Sequence, residues 1–266
     1  MINIDLKGKR VLVTGGSKGI GAEICRKMGA CGAHVFINYN SNEQSAKDLA
    51  AEIGNSFGVK TGIAGADVSR TEQVKEMFLK MDMEIGGIDI LVNNAGTESI
   101  HHVLDLKEDE WDRVLNVNLK GPLLCAQEAG RRMEANGGGV VINISSIHDV
   151  VPRKGLAHYC SAKAGLKMLS KCLSLELAEN NIRVVSIAPG AIETDMNSIE
   201  IENFGRDKFE DWIPQGRIGN VSDVAHAVAF MASELASYIN GADIYLDGAY
   251  MNHTIQYDPR PERKNK

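Results

Sequence analysis

Val11-Leu12-Val13-Thr14-Gly15-Gly16-Ser17-Lys18-Gly19-Ile20-Gly21 passes from an aliphatic triplet, through a glycine-rich turn, into the start of a helical pattern. The triplet is short, largely β-branched and bounded by a turn signal, which reads as a strand. Beyond it Ile24 and Met28 recur at a spacing of four up to about Ala30, which reads as a helix. Gly15, Gly19 and Gly21 permit a tight turn and close backbone approach. The N-terminus of the helix that follows attracts a pyrophosphate. The spacing Gly-x-x-x-Gly-x-Gly is not the GxGxxG pattern, so the reading rests on position: a glycine turn after the first strand of an alternating chain is where a dinucleotide binds. Any strand-to-helix turn can use glycine, and this one needs the rest of the chain to support it.

The alternation continues outward. Further strand candidates are 35–37, 61–64, 88–92, 140–144, 183–187 and 243–246. Between them a helix with Ala46, Leu49, Ala50 and Ile53 on one face follows Asn40-Ser41-Asn42, and others fall near 72–83, 108–135, 158–178 and 221–233. Gly121-Pro122 predicts a bend or restart inside the long one, because proline removes an internal hydrogen bond. Continuous apolar strands alternating with helices imply a parallel sheet covered on both faces. The expectation is one doubly wound α/β domain over 1–266, with a mostly parallel seven-stranded sheet. From 192 to 219 the rhythm breaks. Met196, Ile199, Ile201, Phe204, Phe209, Trp212 and Ile213 stand among acids there. An insertion at a strand's carboxyl end is a place for a substrate lid. The polar tail 253–266 reads as a frayed end.

Composition narrows the classes. A net charge of −6 without a basic stripe argues against nucleic-acid binding. Cys25, Cys31, Cys125, Cys160 and Cys172 form no CxxC pair, and an odd count cannot all pair, so free thiols in a reducing cytoplasm are expected. No leader-like apolar run opens the chain and no stretch approaches the ~20 apolar residues of a membrane span. Adjacent His101-His102 point apart with no third ligand, so no metal is expected.

The end of the second strand chooses the dinucleotide. Asn38-Tyr39-Asn40-Ser41-Asn42 holds no acid before Glu43, so nothing repels a 2′-phosphate, and Lys18 supplies positive charge. NADP is favoured; with no arginine at the turn, NAD stays possible. Tyr159 and Lys163, four apart, share one helical face. A free phenol titrates near ~10. A neighbouring ammonium and a positive nicotinamide ring are expected to lower that value. Ser145-Ser146 and Asn93-Asn94-Ala95-Gly96 end two other strands, at the edge where a doubly wound sheet opens its ligand crevice.

Together, Thr14 to Gly21, Asn93-Asn94-Ala95-Gly96, Ser146, Tyr159-x-x-x-Lys163 and Pro189-Gly190 resemble the short-chain dehydrogenase/reductase family from about Leu6 to Gly248. The resemblance implies a single Rossmann-type domain. It implies a catalytic set of Asn118, Ser146, Tyr159 and Lys163: Ser146 on the substrate oxygen, Tyr159 moving the proton, Lys163 on the nicotinamide ribose, and Asn118 holding a water behind it. It implies cofactor contacts from Gly15, Ser17, Lys18, Gly19, Ile20 and Gly21, then Tyr39, Asn40 and Ser41. Asp67 and Val68 would meet adenine. Asn94, Ala95 and Gly96, and Pro189, Gly190, Ile192 and Thr194, complete the cofactor set with Tyr159 and Lys163. Ser145-Ser146-Ile147-His148 followed by Pro152, Asn38-Tyr39 and Asn94-Ala95-Gly96-x-Glu98 look most like bacterial glucose 1-dehydrogenases, although Asn40 stands where that group often has arginine. A homotetramer is implied as well.

The substrate is the open point. Glu98 and His148 could bind hydroxyl groups of a sugar or polyol, with Met196 of the lid above them. The apolar lid residues equally suit a hydroxysteroid such as a bile acid, or a 3-oxoacyl chain on a carrier protein. A non-catalytic dinucleotide sensor would have no need of the four catalytic-type residues.

Overall fold

The computed structural model describes residues 4–194, 201–203 and 205–252. One sheet contains β1 (Arg10–Val13), β2 (His34–Tyr39), β3 (Thr61–Gly65), β4 (Ile90–Asn93), β5 (Gly139–Ile144), β6 (Ile182–Pro189) and β7 (Asp243–Leu246). Their spatial order is β3-β2-β1-β4-β5-β6-β7. Every pairing is parallel, so the sheet is wholly and not mostly parallel. The chain builds outward from β1 to β3 and then returns to lay β4 on the other side of β1. Between the carboxyl ends of β1 and β4 lies the topological switch point, where such sheets bind ligands.

The helices are α1 (Gly19–Ala30), α2 (Glu43–Phe57), α3 (Thr71–Ile85), α4 (Glu108–Leu115), α5 (Gly121–Ala135), α6 (Ala157–Glu176), α7 (Arg206–Asp211) and α8 (Val221–Ala232). Successive strand residues point to opposite faces. Val11 and Val13 therefore pack with Ile24, Met28, Ile53, Val224 and Val228 of α1, α2 and α8. Leu12 packs on the other face with Phe78, Met81, Ala129 and Met133 of α3 and α5. Both faces are buried, which is why the strands read as unbroken apolar runs. Strand ends shift slightly from the sequence reading, with β4 at 90–93 and not 88–92.

The expected break at Gly121-Pro122 is displaced. A π-helical turn, Asn116–Lys120, joins α4 to α5, and Pro122 sits in the first turn of α5. The Gly121 N–H reaches back five residues to Asn116 O. A proline ring crowds the carbonyl four residues back, here Asn118, and a widened turn relieves that crowding without a kink.

Within the expected lid, Ile192 bridges Gly219, and Ile201, Ile213 and Ile218 form a small apolar cluster with Phe209 and Tyr250. Met196, Ile199, Phe204 and the tail 253–266 lie outside the described residues. Among the described residues no helix is long and apolar enough to cross a membrane.

Candidate active site

Three polar side chains stitch the strand ends around the glycine turn. The Thr14 hydroxyl accepts from the N–H groups of Asn94 and Ala95, each at 3.0 Å. Asn94 Nδ2 returns bonds to Thr14 O at 2.9 Å and Gly15 O at 3.1 Å. Asn38 Oδ1 accepts from Gly15 N at 3.1 Å, while its Nδ2 donates to Ala64 O and Ala66 O. Only glycine fits at Gly21, where a methyl group would lie 2.4 Å from Gly15 O and 2.5 Å from Asn94 Nδ2.

The N-terminus of α1 has no side-chain cap and no acid in its first turn, and exposed Lys18 stands at its cap position. Beside Gly19, at φ +54°, a side chain would meet, among the described residues, the Thr194 methyl alone, 4.0 Å away. Backbone donors, space and one cation suit the pyrophosphate of a dinucleotide. Ser17 and Ile20 flank this turn, Ile20 packing on the core. Tyr39 lies against Gly65, where a methyl group would sit 3.1 Å from its ring, and Asn40 and Ser41 are exposed. Asp67 accepts from Ser69 N and Ser69 Oγ, and Val68 is buried beside Gly121. Pro189 and Gly190 end β6, with Gly190 N donating to Leu246 O at 3.0 Å. All these positions lie along the carboxyl edge of the sheet.

Ser146 follows β5 and opens a short 3₁₀ turn, its hydroxyl accepting from His148 N at 3.2 Å. It also hydrogen-bonds the Tyr159 phenol, from the first turn of α6. Lys163 Nζ donates to Ile144 O at 2.8 Å and lies 5.6 Å from the Tyr159 ring centroid. Asn118 is fully buried in the π turn. It donates to Thr97 O at 2.7 Å and to Val114 O at 2.9 Å. Its Oδ1 would lie 2.9 Å from a side chain at Gly96, so that glycine makes room for it.

Burial decides the electrostatics of this group. It pushes the Tyr159 phenol above its ordinary value; the Glu98 carboxylate adds to the rise and the Ser146 hydroxyl opposes it. The expectation that Lys163 lowers this pKa is therefore reversed in the protein alone. Desolvation disfavours the phenolate more than the neighbouring groups stabilise it. Burial also pulls Lys163 down to about 8, against the upward pull of Asp149 and Glu98. His148 Nδ1 lies 2.8 Å from Val151 O, a carbonyl that can only accept, so that nitrogen carries a proton and the neutral ring would present Nε2 as an acceptor. The His148 ring meets the Tyr159 ring edge-on at 6.3 Å.

Several supporting residues escaped the sequence reading. Asn143 and Ser170 form a buried chain with Asn93, already read at the end of β4, that runs through β5 to α6. His158 Nε2 lies 3.0 Å from Ser99 Oγ, whose proton goes to Glu110. Arg113 and Ser99 hold the Glu110 carboxyl at about 2. Asp149, Lys167 and Tyr245 meet behind the catalytic turn. One available signal was the recurrence of Tyr159, Lys163, Lys167 and Lys171 every four residues along one face of α6.

Comparison with known proteins identifies the family. Residues 15–251 match a family model described as Enoyl-(Acyl carrier protein) reductase. The chain belongs to the short-chain dehydrogenase/reductase family. It is 42% identical over 247 residues to 3beta-hydroxysteroid dehydrogenase 1 of Eggerthella lenta, covering 92% of this chain and 94% of that protein. It is 40% identical to the 3-oxoacyl-(acyl-carrier-protein) reductase FabG of Aquifex aeolicus, covering 93% of this chain and 99% of that one. Among solved structures, a gluconate 5-dehydrogenase from Burkholderia cenocepacia in complex with NADP and tartrate superimposes with a TM-score of 0.89 at 32% identity, covering 94% of this chain and 98% of that one. Members of this family bind NAD or NADP, and this short-chain dehydrogenase/reductase is an oxidoreductase by membership.

Proposed function

We propose that this enzyme transfers a hydride between NADP(H) and a secondary alcohol or ketone carried by a small polyhydroxylated molecule, a sugar or polyol. The carrying observation is the Ser146–Tyr159–Lys163 group, Ser146 and Lys163 buried and Tyr159 half-buried, set on the same sheet edge as an uncapped glycine-rich helix start. When bound, the nicotinamide supplies or accepts the hydride. Gly15 to Gly21 and Lys18 would hold the pyrophosphate and 2′-phosphate, and Lys163 the ribose. The Ser146 hydroxyl orients the substrate oxygen. Burial keeps Tyr159 protonated, so it donates the proton when a ketone is reduced. Lys163 stabilises the phenolate left behind. Asn118 fixes Thr97, and with it the loop that carries Glu98.

The Glu98 charge acts on both Tyr159 and Lys163. A carboxylate whose charge reaches Tyr159 and Lys163, with His148 edge-on to the Tyr159 ring, suits a neutral molecule rich in hydroxyl donors and disfavours an anionic one. The hydroxysteroid reading is supported by the 42% relative and by the apolar cluster of Ile201, Ile213 and Ile218. The carrier-protein thioester reading is supported by the 40% relative. Preference for NADP is supported by the acid-free end of β2 and by the NADP in the gluconate 5-dehydrogenase neighbour.

A panel of glucose, polyols, bile acids and a 3-oxoacyl thioester, followed through NADPH absorbance, tests this. A hydroxylated sugar or polyol should turn over best, and Tyr159→Phe should reduce its turnover by roughly 10²- to 10⁴-fold with cofactor affinity retained. A variant that keeps most activity overturns the proton-transfer role. Faster turnover of a bile acid selects the hydroxysteroid reading, and faster reaction with NAD removes the NADP preference.

A further inference from the structure

Asp149 is the one carboxylate that closes the short turn behind Ser146, and its side chain is 0% exposed. Three elements converge on it. From the end of β5, Ser145 Oγ donates to Asp149 Oδ2 at 3.0 Å. From β7, Tyr245 OH donates to Asp149 Oδ1 at 2.9 Å. From α6, Lys167 Nζ donates to Tyr245 OH at 2.5 Å and lies 3.8 Å from Asp149 Oδ1. Asp149 N closes the turn onto Ser146 O at 3.0 Å. Lys167 and Lys171 are in turn drawn to Asp243 of β7, at 3.9 and 3.3 Å.

A buried carboxylate is unfavourable unless hydrogen bonds and a cation answer it. Both oxygens here are answered, by groups from separate elements. That arrangement fixes the turn carrying Ser146 against the helix carrying Tyr159 and Lys163. The negative charge also acts on the buried Lys163 ammonium, favouring its protonated form.

We propose that Asp149 is a positioning residue of the active site: braced by Ser145, Tyr245 and Lys167, it sets the Ser146 turn against α6 and so against Tyr159 and Lys163. This rests on the proton-transfer role proposed above for Tyr159 and Lys163. The groups that act on Lys163 come from every side of the site. Tyr159 shares its helix, Glu98 comes from the loop after β4, and Asp149 comes from the turn after β5. Of these, Asp149 and Glu98 favour the charged lysine.

The test is the pH profile of ketone reduction by the whole enzyme with NADPH, in Asp149→Asn, Asp149→Glu and Tyr245→Phe. Loss of the charge should move the alkaline limb down by roughly one pH unit in Asp149→Asn. Asp149→Glu should restore the limb, because the charge returns. Tyr245→Phe removes a brace and keeps the charge, so turnover should fall roughly tenfold with the limb unmoved. A limb that stays in place in Asp149→Asn, or moves equally in Asp149→Glu, overturns the proposal. If Asp149→Asn does not fold, undiminished turnover in Tyr245→Phe overturns it alone. Wild-type protein without activity on any panel substrate would instead refute the proposed function, which keeps the two failures apart.

Discussion

Lys163 carries an ammonium into a site where burial pulls its pKa down to about 8. In the unfolded chain the same group titrates near ~10.4. Between those values the unfolded chain binds a proton that the folded chain has given up, so this group's contribution to stability rises with pH. Denaturant unfolding of the wild type at pH 7.5, 9 and 10 should show that rise, and Lys163→Met should flatten it. Identical pH dependence in both proteins would contradict the assignment. Tyr159 acts in the opposite sense above ~10, where its raised phenol keeps a proton that the unfolded chain loses. The measurement therefore stops at 10. Gly21 gives a second residue-scale expectation. Gly21→Ala sets a methyl group against two fixed neighbours. Overpacking of this kind costs about 1–3 kcal/mol, read as a lower unfolding midpoint together with a raised KM for NADPH. The pairing of Tyr159 with Lys163 was legible from helical spacing and Ser145-Ser146 from its place at a strand end, while Ser146 itself came from the family resemblance. The direction of the Tyr159 shift was not, since it depends on how completely the surrounding elements exclude water.

At the scale of elements, the loop after β4 is clamped from both ends. Thr97 is held by Asn118 in the π turn and by Arg113 of α4, whose Nη1 donates to Thr97 Oγ1 at 2.5 Å. Ser99 is held by Glu110 of α4 and His158 of α6. Glu98 stands between the clamps. Arg113→Met should loosen one of them, raising KM for the alcohol or ketone several-fold while KM for NADPH stays unchanged. Equal changes in both constants would show that the clamp does not act on Glu98. The alternation of strands and helices was legible because each strand is an apolar run bounded by turn residues. The π turn was not. Its cause is a proline ring meeting the carbonyl four residues back, and the sequence reading took the same proline as a break. Asn143 and Ser170, the buried partners of Asn93, were hidden for a related reason: strand and helix residues far apart in sequence meet only once the register is set.

For the whole molecule, the expected homotetramer makes demands on the surface. Met168, Cys172 and Leu175 recur at helical spacing on the outer face of α6, with Met168 60% and Leu175 80% exposed. Apolar side chains that form a stripe on one helix mark a surface that a second copy can cover. Burying a leucine of this kind contributes roughly 1.5–3 kcal/mol, and closed symmetry repeats the gain at every equivalent interface. The stripe lies on the helix that carries Tyr159 and Lys163, so an assembly through it would share one rigid element with the active site. Light scattering coupled to gel filtration should return about four times the 28.8 kDa chain mass. Met168→Glu with Leu175→Glu should lower that mass while circular dichroism remains that of the folded protein, because both side chains point away from the core. The variant should then lose turnover more than secondary structure, as α6 loses a covering partner. A wild-type mass of one chain, or a variant that keeps the full assembly, would place the contact elsewhere or remove it.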